Sequence, residues 1–489
     1  MALSCIFCLT LLTACSDSDS PALRFALGSA PVTLDPRFAT DATSSRINRL
    51  IYRRLVDFDK QSLPKPDLAT WEQLTPRHYR FKLGQHGRTF HNGSHLSSRD
   101  VQATYNSLLD KKNASPHRGS LSNIERIETP DDETIDFYLK EPDPLFPGKL
   151  TIGILPSEAI ASNHPFQSQP IGSGPFALSD WSYEGKLQLT RVSDQQHLEF
   201  LHVKDPTVRV LKLLRGEVDM LQSNLSPELV NYLRKKPGFK VLQAKGSNFT
   251  YLGFNMEDAQ VGQHHVRKAI AYAIDRDAII KYIWGGAAHP ANALLPPAHW
   301  AGNSQLNSYQ HDPGTARQLL EKAGFSTDNP LKITYKTSSD PFRIRLATII
   351  QSQLAEVGIE VKIRSYDWGS FYGDIKAGRF QLYSLSWVGI KSPDIFKYIF
   401  HSSMIPPNGA NRGRYISPIA DQLIDAANAA TDRGEQAQKY QQLQAHVLEE
   451  LPYIPLWYED HIFIAKANII GYTLASDGNY DGLINTTKE

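Results

Sequence analysis

Leu331-Lys332-Ile333-Thr334-Tyr335-Lys336-Thr337 alternates apolar and polar side chains with β-branched and aromatic members, the period of a strand. Pro341 then opens a helix in which Ile344, Ala347, Ile350, Leu354 and Val357 recur every three or four residues as one apolar stripe, and Gly358 ends it. A second strand is predicted at Ile359–Tyr366, a short helix over 369–377 and a third strand over 380–388. A βαβαβ unit of this kind forms a parallel sheet through right-handed crossovers, and ligands bind beyond the carboxyl ends of its strands. Those ends are Thr337-Ser338, Tyr366-Asp367-Trp368 and Trp387-Val388-Gly389. Two readings of their rings stay open: the wall of a binding cavity, or loop aromatics packed under a lid.

Outward from this unit, Phe249-Thr250-Tyr251-Leu252-Gly253-Phe254-Asn255 reads as a strand, and Val266, Ala269, Ile270, Ala273, Ile274 and Ala278 trace an amphipathic helix. Helices are expected over 419–430 and 435–451, broken near Gly434, before a Pro-punctuated strand at 453–458. Residues near 250–460 thus form one α/β lobe. The amino-terminal part differs: short strands at Leu23–Leu27, 79–83 and Thr134–Leu139, and a helix at Ser98–Leu109 capped by Ser97 with Asp100 at its third position. It reads as a second lobe with a subdomain of its own.

The 489 residues carry 52 Lys+Arg against 51 Asp+Glu, a net charge of +1, so no global field holds a nucleic acid. The three cysteines are Cys5, Cys8 and Cys15. They fall inside an amino-terminal segment whose apolar run, roughly a dozen residues, suits an export signal and is short of a membrane span. Leu12-Thr13-Ala14-Cys15 resembles the lipobox of bacterial lipoproteins, which implies a signal peptide at 1–14, acylation of Cys15 and a polar leash over 16–21.

Other chemistry finds little support. Gly172-Ser173-Gly174-Pro175-Phe176-Ala177 matches a dinucleotide fingerprint on paper, but Pro170 precedes it and a strand-like run follows, so a tight turn is expected instead. His86, His91 and His95, and the His264-His265 pair, lack the spacing of a structural zinc site and read as loop histidines. No Gly-x-Ser-x-Gly elbow or mature thiol offers a nucleophile, and no cofactor is expected. The turn-rich loop 406–415 carries Arg412 and Arg414, either a clamp for a carboxylate or ordinary surface charge.

Several segments, in order along nearly the whole chain, resemble the family 5 solute-binding proteins of bacterial ABC importers, the dipeptide, oligopeptide and nickel binders. Pro31-Val32-Thr33-Leu34-Asp35-Pro36 is similar to the opening "L-D-P", Phe90-His91-Asn92-Gly93-Ser94 with 97–101 to "F-H-D-G-x-P-x-T-A-x-D-V", and Pro170 through Phe176 to "P-V-G-T-G-P-Y". Leu214-Arg215-Gly216-Glu217-Val218-Asp219 and the helix from Val266 through Arg276 complete the set. The resemblance implies an α/β, periplasmic-binding-protein-like fold: two α/β lobes joined by a hinge, with an extra subdomain inserted in the first. Lobe one would comprise 22–48, 170–250 and 462–489, the inserted subdomain 49–169, and lobe two 251–461.

It further implies a monomer in the periplasm, attached to a bacterial membrane through lipid alone. Such a protein captures a peptide or peptide-like solute and hands it to an ABC permease of the inner membrane, with no covalent chemistry. Main-chain groups at Ser386, Trp387, Val388 and Gly389 would pair with an extended ligand, Tyr366, Trp368 and Trp387 would form walls, and Arg412 would take a carboxylate. Leu34 and Asn255 complete the expected set. In the family's peptide binders an aspartate soon after the Trp holds the ligand's amine; Ile390 stands there, and Asp394 is the nearest substitute. A nickel chelate held by His401 or by His264-His265 is the alternative within the fold, and a surface hydrolase or chaperone-like peptide holder the alternative outside it.

Overall fold

The computed structural model describes residues 22–182, 185–223, 225–326 and 328–489. The expected signal peptide, Cys15 and the leash lie outside the described residues. Among those described, no helix is long and apolar enough to cross a membrane.

The alternation that begins at Leu331 is realised as the strand Leu331–Ser338, whose inward positions Leu331, Ile333, Tyr335 and Thr337 are buried. It pairs in parallel with Ile359–Tyr366 from Leu331↔Ile359 to Ser338↔Tyr366, and more briefly with Leu382–Trp387 at Tyr335↔Leu382 and Lys336↔Tyr383. The crossover helix Pro341–Ala355 starts at Asp340, whose carboxylate accepts the Arg343 N–H at 2.9 Å, and buries Leu346, Ala347, Ile350 and Leu354. The stripe is therefore rotated toward Leu346, and Ile344 is only half-buried. The break between the helices Pro418–Ala429 and Arg433–Glu450 falls before Gly434, because Asp432 caps the second one through the Glu435 N–H at 2.8 Å.

This parallel unit is one end of a mixed sheet of 11 strands among the described residues. Leu382–Trp387 runs antiparallel to Phe239–Phe254, which runs antiparallel to Tyr453–Lys466. These two strands, 16 and 14 residues long, are far longer than their apolar cores at 249–255 and 453–458 suggest. Tyr453–Lys466 carries the sheet onward through Met220–Gln222, Leu23–Leu27, His197–His202, Lys186–Arg191 and Phe176–Trp181. Where the long strands cross, a Cβ on Gly246 would sit 1.9 Å from the Glu459 carbonyl oxygen, so only glycine admits this approach. The far half of the crossing is fixed by Asp219, which is fully buried. It accepts from the Arg24 N–H, Nε and Nη2 at 3.0–3.1 Å and from Lys466 Nζ at 3.1 Å.

Two lobes follow from where apolar surface is buried. Phe25, Leu50, Phe176, Phe200, Tyr472 and Leu483 belong to the core on one side of the crossing strands. On the other side, Val266, Ile270, Ile350 and Leu354 fill the core on one face of the sheet, and Tyr251, Phe371, Phe396 and Tyr440 fill that on the other. A further core, with Phe81, Val101, Tyr105 and Phe137, lies over a four-stranded antiparallel sheet in the order Ala69–Thr75, His78–Leu83, Thr134–Leu139, Ile124–Glu128. The helix Ser98–Leu109 packs on it, with the Asp100 carboxylate accepting from the Ser97 N–H at 2.8 Å.

The 172–177 segment is neither a nucleotide loop nor the tight turn expected. Gly172 and Gly174 lie against the end of the helix Ala42–Ile51, where added Cβ atoms would meet Ile51 oxygen at 2.0 Å and Leu50 oxygen at 2.5 Å. The Gly174 N–H donates to Ile51 oxygen at 2.8 Å. These glycines serve close approach of two backbones.

Candidate functional site

A cavity of about 610 Å³ opens between the lobes. One wall is the helix Ala42–Ile51 with Tyr52, Arg54 and Asp57. The subdomain adds His117 and Lys149, and the carboxy-terminal segment adds Asp477 and Asn479. The opposite wall is the end of Leu382–Trp387 and the loop after it, through Ile395. The helix exists because Ile47, Leu50 and Ile51 bury one face in the first core and Asp41 caps it, accepting the Ser44 N–H at 2.8 Å. Its other face turns Ala42, Ser45, Arg46 and Arg49 toward the cavity.

Of the expected site residues, Trp387, Val388, Gly389 and Asp394 line this cavity together. Val388 is half exposed, and the Trp387 indole N–H is buried without a partner among the described residues. Pairing of Leu382–Trp387 with Leu331–Ser338 stops at Tyr383, so the segment reaching the cavity has outrun that neighbour.

The remaining expected residues lie elsewhere. Leu34 is fully buried in the first core, its N–H donating to Gln167 oxygen at 3.1 Å and its carbonyl accepting from the Tyr52 hydroxyl at 3.0 Å. Asn255 closes the loop after its strand, donating to Gly378 and Phe380 oxygens at 3.2 and 3.1 Å. Its strand is antiparallel to Leu382–Trp387, with Phe249 opposite Trp387 and Phe254 opposite Leu382, so Asn255 sits ~20 Å along the sheet from the cavity end. Tyr366 ends the edge strand, two strands from Trp387, with Lys336 Nζ 5.3 Å from its ring. Trp368 is 59% exposed and stacks on Tyr372 at 5.5 Å, so it forms no wall. Ser386 turns its hydroxyl inward to Thr250 at 2.6 Å and Glu459 at 3.3 Å.

Arg412 does not face the cavity. Its guanidinium is buried behind Trp387, 4.7 Å from that ring and 5.3 Å from Tyr372, and donates to the Tyr251 and Tyr372 hydroxyls at 3.2 and 3.1 Å. The histidines of the nickel reading also lie off the cavity. His264 donates to the Glu449 carbonyl oxygen at 2.7 Å and His401 pairs with Ser403. Among the described residues no group of three or more His, Cys, Asp or Glu is arranged to hold a metal ion.

Several lining residues escaped the sequence reading. Arg49 bridges Asp57 at 3.0 Å and Asp481 at 2.6 Å, and Arg54 also reaches Asp57 at 3.2 Å. Burial pushes the Asp57 carboxyl up, but these two guanidinium groups more than reverse it and hold it well below the usual carboxylate range. Lys149 pairs with Asp143 at 2.6 Å, and Lys391 pairs with Asp477 at 2.6 Å. Asn48 borders the cavity with both amide atoms buried and, among the described residues, unpartnered, a loss of about 1–3 kcal/mol for each unsatisfied group. The polar face of 42–51 against Ile47, Leu50 and Ile51 was a readable helical signal; the cavity's position opposite it was not.

The chain matches the family model described as bacterial extracellular solute-binding proteins, family 5 Middle, over residues 64–404. It is 27% identical over 486 residues to the di/tripeptide-binding protein 2 of Pseudomonas aeruginosa, covering 91% of each chain. It is 28% identical over 517 residues to the heme-binding protein A of Haemophilus influenzae, covering 96% of this chain and 93% of the other. Among solved structures it resembles the ABC transporter-associated periplasmic binding protein DppA of Helicobacter pylori in complex with the peptide STSA. That likeness has a TM-score of 0.82 at 27% identity and covers 96% of this chain and 98% of the other.

Proposed function

The chain belongs to the family 5 bacterial extracellular solute-binding proteins, and from that membership we propose that it captures a short peptide or peptide-like solute between its lobes for delivery to an inner-membrane ABC permease. The observation that carries the reading is the cavity itself: both lobes contribute to it, and the end of Leu382–Trp387 reaches it beyond its parallel neighbour, as an extended ligand requires. The relatives named for di/tripeptides and for a peptide complex favour a peptide. The one named for heme sets the competing ligand class. Closure is a population shift whose extent equals the solute's preference for the closed state, and no bond need be made or broken. The protein works as a monomer in the periplasm, with acylated Cys15 as its tether.

Native mass spectrometry of the protein purified from its own periplasm identifies what it carries, and calorimetry with a tripeptide library measures affinity. We expect peptide in the cavity and a loss of at least about tenfold in affinity for Trp387→Ala, whose ring borders it. Heme absorbance in place of peptide, turnover of the peptide, or undiminished affinity in the variant overturns the corresponding part of the reading.

A further inference from the structure

We propose that the cation meeting the solute's carboxylate is Arg46, and that Asn48 on the same helix pairs with an amide of the solute, which makes the ligand a short carboxylate-ended peptide lying across Ala42–Ile51. This rests on the solute-binding reading above and names the ligand class of that site.

The positive charges bordering the cavity are nearly all spent within the protein. Arg49 is shared by Asp57 and Asp481, Arg54 reaches Asp57, Lys149 is held by Asp143 and Lys391 by Asp477. Arg412, on the loop richest in turn formers, is sealed behind Trp387. Arg46 is the exception. It is half-buried and lines the cavity, its guanidinium is 5.6 Å from the Tyr480 ring, and among the described residues no carboxylate lies within ion-pair distance of it. His461 beside it is buried, and the carboxylates acting on that imidazole are each engaged by another group, Asp477 by Lys391 at 2.6 Å, Glu459 by Arg343 at 2.8 Å and Asp460 by His289 at 3.1 Å. A planar guanidinium in a partly dry site is matched by a carboxylate through two parallel hydrogen bonds.

Asn48 supplies the independent observation. Its residue is 5% exposed, both amide atoms lack a partner among the described residues, and it borders the same cavity. A side-chain amide offers one donor and one acceptor side by side, the complement of a peptide group. Residues two apart on a helix point to opposite sides of it, so Arg46 and Asn48 flank the cavity-facing stripe of Ala42, Ser45 and Arg49. A ligand touching both therefore crosses the helix, a span of about 10 Å, which an extended chain of about three residues covers.

Isothermal titration with Ala-Ala-Ala, Ala-Phe-Ala and Ala-Lys-Ala, each as free acid and as carboxy-terminal amide, tests this on the mature protein. The free acids are expected to bind about 30-fold or more tightly than their amides. Arg46→Gln should erase that preference by weakening the acids alone, Arg46→Lys should keep part of it, and Asn48→Leu should weaken acid and amide by the same factor. Circular dichroism melts of each variant report folding separately. Amides bound as tightly as acids, or an unchanged preference in folded Arg46→Gln, overturn the inference and leave the peptide reading standing. Binding of neither form overturns the peptide reading itself.

Discussion

At Trp387 a single indole has two surroundings: it borders the cavity, and its ring lies 4.7 Å from the buried Arg412 guanidinium. Among the described residues that cation has only the Tyr251 and Tyr372 hydroxyls for hydrogen-bond partners and the Tyr372 ring for a second face. A buried charge without a counterion is costly, and apolar residues of similar volume often replace such groups without loss of stability. Arg412 is therefore a positioning residue that holds the indole in place by cation–π attraction, about 1–2 kcal/mol in a desolvated site. Arg412→Met should leave the melting temperature unchanged or raised while lowering solute affinity roughly tenfold. Calorimetric scans and titrations on the same preparation check the split, and equal losses of stability and affinity would contradict it. The sequence marked Trp387 and Arg412 as neighbours of a site because both follow strand or turn signals. It could not tell that the arginine lies behind the ring, since that depends on Tyr251 from a strand 161 residues away.

Among the elements, the crossing strands were the least legible. The outer half of Phe239–Phe254, with Lys240, Gln243 and Lys245, is half-exposed and polar, so its alternation resembles a solvated loop until it finds Tyr453–Lys466. The parallel unit was legible because each strand and helix there carries a full apolar period of its own. Antiparallel pairing was not, and it places Asn255 at the end of its strand away from the cavity. His461 sits in the second crossing strand, where burial first and then Arg46 push its pKa down to about 4 from 6.5. Between those values the unfolded chain takes up a proton that the folded one refuses. Stability is complete above pH 6.5 and falls by about 3 kcal/mol as pH drops toward 4. His461→Gln should flatten the denaturant midpoint over that window, with little change at pH 8. A variant that keeps the wild-type slope would assign the acid sensitivity elsewhere.

At the scale of the whole molecule, an ion pair joins the two walls of the cavity. Lys391 follows the strand end of one lobe between Ile390 and Ile395 of its core, and Asp477 lies between Tyr472 and Tyr480 of the other, 2.6 Å from Lys391 Nζ. Burial pushes the Asp477 carboxyl up, Lys391 more than reverses this, and the net pKa lies below the ordinary carboxylate value. The pair therefore persists throughout the neutral range and is lost only as pH falls through that lowered value. Both of its residues line the cavity, and since it ties one wall to the other it is expected to act on closure. Asp477→Asn leaves Lys391 facing a neutral amide in the closed form, which shifts the protein toward the open one. If the pair contributes about 1.5 kcal/mol to closure, the closed-to-open ratio falls by about tenfold, and the apparent affinity for every solute falls in proportion to the closed fraction lost. Small-angle scattering without solute should show a larger radius of gyration at pH 7, and titrations should show acids and amides weakened alike. An unchanged radius with selective loss of acids would instead make the pair part of the ligand site.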